Sequence, residues 1–355
     1  MRRHIAVHLA GLVAFLAFGP AAFAWNSPGH MLVALIAYDD LAAADRGRVD
    51  ALVELLRQHP RFREDFLDRM PADLPAAGQG RWLFAHAATW PDMLRSAAPE
   101  VRTRYHRASW HYVDKPLALD PKAPAAPEAA ALTEADPAKA DNPEHMNILQ
   151  ALAHNLAILR DEHQAAADRA VALCWVLHLV GDVHQPLHCV TLYSARFPLP
   201  QGDRGGNSIP IANDGGISSN PNLAGRGFRP ELHGFWDNLP GHSEDMIILD
   251  AAEKHATALY PRSGFRRELQ TRDLPGIMDE GYGYAKAAVY APFILRAIQR
   301  VEPPREVPAG GRPAEVATLE PIPLNDTYIH TARIIAEQRI TLAGYRLADQ
   351  LRSNP

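Results

Sequence analysis

Apolar residues recur at intervals of three and four along most of this chain, and strand-like alternation is scarce. The spacing predicts amphipathic helices over 30–41 and 44–58, a further one over 83–94, and then 144–160, 165–183, 244–259, 278–300 and a long closing helix over 327–351. Three stretches interrupt the pattern. Residues 116–143 are rich in Pro, Ala and Asp, 196–230 in Gly, Asn, Ser and Pro, and 303–323 in Pro. They read as surface loops, the middle one as a loop or a small hairpin insertion. With no internal repeat and no clean linker, a single all-α domain is the simplest architecture.

The first 24 residues follow a different pattern. Arg2 and Arg3 give a basic start, Leu9 to Phe18 are largely apolar, and Ala22-Phe23-Ala24 is a small-residue cleavage site. That layout predicts a secretory signal peptide over 1–24, with an apolar stretch too short to span a membrane. The expected product is a mature domain of residues 25–355 that starts at Trp25 and resides in a periplasm or outside the cell. No later stretch approaches 18 uninterrupted apolar residues, so a soluble protein without a membrane partner is expected, as a monomer.

Composition changes the picture at two points. The chain of 355 residues is 47% hydrophobic and 22% charged, ordinary for a globular protein, but its formal net charge is −5, falling to −7 without Arg2 and Arg3. An acidic balance argues against a generic electrostatic nucleic-acid binder. A polyanionic substrate would need positive charge from another source, such as bound metal. Cys174 and Cys189 are the only cysteines, too few for a disulfide framework; one bridge and two buried thiols both remain open. Histidine is the unusual count at 17, and several stand at regular distances from aspartates.

The strongest local feature is His178-Leu-Val-Gly-Asp182-Val-His184-Gln-Pro-Leu-His188. His178 and Asp182 lie four apart, on one face of a helix, and Pro186 ends that helix so that His188 can approach from another direction. Imidazole and carboxylate are ligands that zinc accepts. A helix-surface ion pair explains this motif alone equally well, but His233-Gly-Phe-Trp-Asp237 repeats the spacing, which weakens that explanation. Upstream, Asp92 and His111 are further candidates, each of which taken singly reads as a solvated carboxylate or a core histidine. Cleavage before Trp25 would free an α-amine that titrates near 8 and yields its proton readily to a metal, five residues before His30.

The ordered set of N-terminal Trp, His, Asp, His, His-x3-Asp-x5-His and His-x3-Asp resembles the zinc-dependent S1/P1 nuclease family, which is related to bacterial zinc phospholipase C. The resemblance runs from Trp25 to the last helix with Ala343-Gly344-Tyr345-Arg346-Leu347-Ala348. It implies a mostly helical fold and three Zn²⁺. Asp92, His111, His178 and Asp182 would hold one ion. The amine and carbonyl of Trp25, with His30 and a bridging Asp182, would hold its close neighbour. His188, His233 and Asp237 would hold the third. Arg95 matches a phosphate-contacting arginine, Asp114 a carboxylate that helps orient it, Tyr112 an aromatic that stacks on a base, and Asn238 an amide that binds a base edge. The implied activity is endonucleolytic hydrolysis of single-stranded DNA and RNA by hydroxide attack on phosphorus, with 3′-nucleotidase action on nucleotides.

Several features depart from the family pattern. Asn26 replaces the usual glycine after the terminal Trp, and the segment between His188 and His233 is longer than in the fungal enzymes, though it keeps the Gly205-Gly206-Asn207 turn. The fungal disulfide cysteines are absent, and the 116–143 loop has no placed counterpart. Two alternatives stand beside the nuclease reading. A zinc phospholipase C on the same fold would carry a glutamate where Asp237 stands and would lack the Gly-Gly-Asn turn. A noncatalytic zinc-binding protein would carry a mobile His-rich tract rather than ligands that need a fold to gather them.

Overall fold

The structure is a computed structural model and describes residues 25–119, 132–213, 216, 230–302 and 318–352. The expected leader over 1–24 and parts of all three expected loops lie outside the described residues. Thirteen α-helices occur among the described residues. They are α1 (Ser27–Ala44), α2 (Arg46–Leu56), α3 (Phe62–Asp65), α4 (Ala76–Ala87), α5 (Trp90–Met93), α6 (Pro99–Tyr105), α7 (Ile148–Arg160), α8 (Ala166–Asp182), α9 (Leu232–Asp237), α10 (Met246–Leu259), α11 (Leu274–Tyr284), α12 (Pro292–Arg300) and α13 (Asp326–Arg352). The all-α class read from the spacing holds. No helix among the described residues is long and apolar enough to cross a membrane.

Local chemistry sets the helix ends. Asn147 and Gln150 form a reciprocal capping box at the start of α7, and the Asn26 side chain accepts from Gly29 N–H at 3.3 Å at the start of α1. Two expected helices are divided. The 83–94 stretch breaks after Ala87 and restarts at Trp90 with Pro91 in the first turn. The 278–300 stretch becomes α11, a π-helical turn over Ala285–Val289, and α12, which restarts at Pro292. A proline lacks the N–H that an uninterrupted helix needs and pushes the residue before it out of helical geometry; Ala291 is accordingly extended, with ψ 153°.

Helix α1 is the spine. It is buried from Pro28 to Tyr38 and packs chiefly against α13, with α2, α4, α8 and α10 also against it. Gly344 allows the close approach of α13, since a Cβ there would lie 2.6 Å from Ile36 Cβ. A second apolar cluster gathers Leu187, Val190, Ile209, Leu232, Phe235, Trp236, Val289, Ile294 and the first turns of α13. The end of α8 and the turn after it run from the first cluster to the second, which places the His178–His188 motif at their junction.

The expected loops are partly ordered by short parallel pairings. β1 (Pro116–Ala118) pairs with β2 (Thr191–Tyr193), and β3 (Ile211–Asn213) pairs with β4 (Ile322–Pro323). Strands of two or three residues are too short to show alternation in sequence. Cys174 and Cys189 are both buried free thiols, which closes the question of a bridge between them.

Candidate metal centre

Asp182, in the last turn of α8, is wholly buried among three imidazoles. Its Oδ2 lies 3.2 Å from His178 Nε2 and 3.0 Å from His111 Nδ1, and its Oδ1 lies 3.3 Å from His30 Nε2. The four-residue spacing on the helix accounts for the first approach; tertiary packing of α1 and the 108–111 turn accounts for the others. His178 Nδ1 lies 2.8 Å from the Ala88 carbonyl, which can only accept, so Nδ1 carries a proton and Nε2 is the nitrogen turned toward Asp182. Asp92 Oδ1 approaches the same Nε2 at 3.9 Å and takes Arg95 Nη2 at 3.1 Å. The His30 ring stacks on His178 with centroids 3.8 Å apart. Gly181 makes room for it, because a Cβ there would lie 2.9 Å from His30 Nδ1. Trp25 is buried beside Gly29, and the adjoining Asn26 N–H donates to the Asp237 carbonyl at 3.0 Å, tying the start of the described chain to the far side of the centre.

That far side is built from the turn after α8 and from α9. His188 Nδ1 donates to the His111 carbonyl at 2.6 Å, and His233 Nδ1 to the Gly205 carbonyl at 2.6 Å. Both Nδ1 protons are thereby committed, and the two Nε2 lone pairs face each other at 3.1 Å. Asp237 closes the group, with Oδ2 at 3.3 Å from His233 Nε2 and Oδ1 at 4.0 Å from His188 Nε2. Gln185 Nε2 donates to Asp237 Oδ1 at 2.6 Å and fixes its orientation.

Three groups of ligand atoms thus converge, each within 4.8 Å internally: His30, Asp92 and His178; His111, His178 and Asp182; and His188, His233 and Asp237. A cation fits the chemistry of all three. His30 Nε2, His111 Nε2, Asp182 Oδ1 and Asp237 Oδ2 are buried with no hydrogen-bond partner, and burying such atoms unsatisfied costs about 1–3 kcal/mol each, more if charged. Burial holds His111 neutral, its pKa lowered to about 4. Burial would also raise Asp182, but the surrounding His178, His111 and His30 outweigh it and hold that carboxyl well below the usual range. Asp237 goes the other way: burial, with Asp182 and Asp92 adding to it against the Gln185 bond, pushes it well above the usual range. A bound cation would reverse that penalty and keep the carboxylate ionised.

A family model described as S1/P1 nuclease matches residues 25–354. The chain belongs to the S1/P1 nuclease family. Nuclease S1 of Aspergillus oryzae is 32% identical to it over 92 residues, 26% of this chain and 24% of that protein. The matched part therefore spans about a quarter of that relative's length.

The residues expected to contact substrate in this S1/P1 family chain differ in exposure and in what holds them. Arg95 lies next to Asp92 with a side chain 14% exposed. Tyr112 is 39% exposed, while its main chain is held by Ile148 N–H. Asp114 accepts from Thr191 Oγ1 on β2 at 2.5 Å, and Arg95 forms an ion pair with Asp92. The Asn238 amide is engaged at both ends, accepting from Asn26 Nδ2 at 3.1 Å and donating to the Gly234 carbonyl at 2.7 Å. Two supporting residues were not singled out by sequence reasoning. Gln185 is the orienting partner of Asp237, signalled only by its place inside the His178–His188 motif. Asp203 accepts from Leu192 N–H, Gly206 N–H and Tyr290 Oη, and so shapes the turn whose Gly205 carbonyl holds His233.

Proposed function

We propose that this protein is a zinc-dependent phosphodiesterase that cleaves unpaired DNA and RNA and also removes 3′-phosphates from nucleotides. The observation that carries the reading is the pair of imidazole lone pairs opposed at 3.1 Å beside Asp237. Two such lone pairs and an ionised carboxylate repel one another unless a cation or a shared proton lies among them, and a bound metal is what would keep Asp237 ionised there. Asp92, His111, His178 and Asp182 would hold one zinc; His30, Asp182 and the amine and carbonyl of a processed Trp25 a second; His188, His233 and Asp237 a third. Zinc, when bound, supplies Lewis-acid polarisation of phosphoryl oxygen and lowers the pKa of water to near neutrality.

The chain's own residues supply the rest. Asp92 positions the Arg95 guanidinium, whose planar fork suits a phosphoryl group and the charge that grows on it during displacement. Tyr112, 39% exposed, supplies the ring on which a splayed base would stack, an option closed to a base held in a duplex. Asp114, in the same segment, holds the Tyr112 turn against β2 through Thr191. Asn238, already bonded within the protein, would meet a base edge only by giving up its bond to Asn26. No side-chain nucleophile is needed.

The test is zinc content measured alongside hydrolysis. Protein purified with zinc is expected to carry three ions per chain and to cleave single strands faster than duplex. Activity should stop with chelator and return with zinc, and lecithin should remain intact. Full-rate cleavage by metal-free protein, or a loaded protein inert on single strands, would overturn the reading.

A further inference from the structure

Away from the metal centre, an open cavity of about 770 Å³ lies between the end of α10, the 260–271 segment, α11 with its π turn, and α13. That size is typical of small-molecule sites. Its floor carries Arg339, 2% exposed, whose Nε donates to the His184 carbonyl at 3.1 Å and whose Nη1 donates to Glu280 Oε2 at 2.8 Å. The remaining Nη2 is buried and has no hydrogen-bond partner.

Glu280 is shared. Arg346 takes the same carboxylate through two bonds, 2.8 Å from Nη1 to Oε2 and 2.7 Å from Nη2 to Oε1. His184 Nε2, 3.0 Å from Arg346 Nη1, lies at an imidazole held neutral by burial and by both guanidinium groups. Two buried guanidinium groups, Arg339 at the cavity and Arg346 behind it, therefore share one half-buried carboxylate. At the rim, Arg267 and Glu268 contribute one charge of each sign. A buried surplus of one positive charge with an unused donor is unfavourable unless an anion completes it. The walls are apolar and flat: Tyr260, Phe265 and Tyr284 line the cavity, and the Arg339 guanidinium lies 5.4 Å from the Tyr284 ring centroid.

We infer that this cavity is a binding site for a small organic oxyanion, a carboxylate or phosphate ester carrying a flat ring, with the Arg339 guanidinium as the cation that attracts the oxyanion and the aromatic walls covering the ring. None of the proposed metal ligands lines this cavity. It does not depend on the phosphodiesterase reading.

Benzoate and inorganic phosphate are the probes, titrated calorimetrically into the zinc-loaded, full-length mature protein. Gly283 lines the cavity in α11, and a Cβ there would meet nothing within 4 Å, so Gly283→Phe fills the space without disturbing the backbone. Wild type is expected to bind benzoate, and Gly283→Phe to bind it at least about tenfold more weakly with an unchanged Tm. Arg339→Met should lose the same binding event. Arg339 is buried and bonded to Glu280 and to the His184 carbonyl, so the Gly283 variant decides alone if the Arg339 variant fails to fold. Benzoate bound equally by wild type and Gly283→Phe, or by neither, overturns the proposal. Phosphate bound as tightly as benzoate in the wild type overturns the assignment of the flat walls to a ring.

Discussion

Gln185 shows how a neutral side chain shapes a charged site. Its amide N–H₂ holds Asp237 Oδ1 while its carbonyl takes Leu187 N–H at 2.5 Å, so one residue fixes both the carboxylate and the turn that carries His188. Gln185→Leu is expected to weaken metal binding at the His188–His233–Asp237 group about 10–100-fold, read by competition with a calibrated chelator. Gly181→Ala should act on the other side: a Cβ 2.9 Å from His30 Nδ1 displaces that ring, so zinc content should fall while the helix itself remains. Elemental analysis beside far-ultraviolet circular dichroism separates those two effects. The His–Asp pairs were legible because four-residue spacing on a helix is a local property. Gln185 was not, because its partner lies 52 residues away and only tertiary structure brings them together.

Among the elements, the pairing of α1 with α13 sets the frame from which His30 projects. Gly344→Ala places a methyl 2.6 Å from Ile36 Cβ and 3.1 Å from the Val33 carbonyl, contacts that require the two helices to separate. The variant is expected to lose about 1–3 kcal/mol of stability despite the better helix propensity of alanine, seen as a lower denaturant midpoint. Periodicity located the long helices within a few residues, since each buries a continuous stripe. It overran the breaks at Pro91 and Pro292, where the apolar pattern continues across a point that the backbone cannot. The parallel pairs β1–β2 and β3–β4 stayed hidden because each joins segments far apart in sequence through two or three residues.

For the molecule as a whole, acid should be a sensitive variable even apart from metal. Burial lowers His86, which stacks on Trp82 with centroids 3.8 Å apart, to about 4, and lowers His59 to about 4 as well. The unfolded chain takes up these protons near pH 6.5, before the folded one does, so stability falls as pH drops from about 6.5 toward 4. His86→Phe keeps the stack and removes the proton site. Its loss of stability between pH 7 and pH 4 should be smaller than the wild type's by on the order of 2–3 kcal/mol, measured by denaturant unfolding in the presence of chelator.

Two bonds join the halves of the centre directly. The His111 backbone carbonyl receives the Nδ1 proton of His188, while the Val113 N–H reaches back to the His188 carbonyl at 2.9 Å. Each side's ligand is thus a splint for the other's. Filling either half stiffens the docking geometry of its neighbour, so the sites should load together along a steep isotherm rather than one after another.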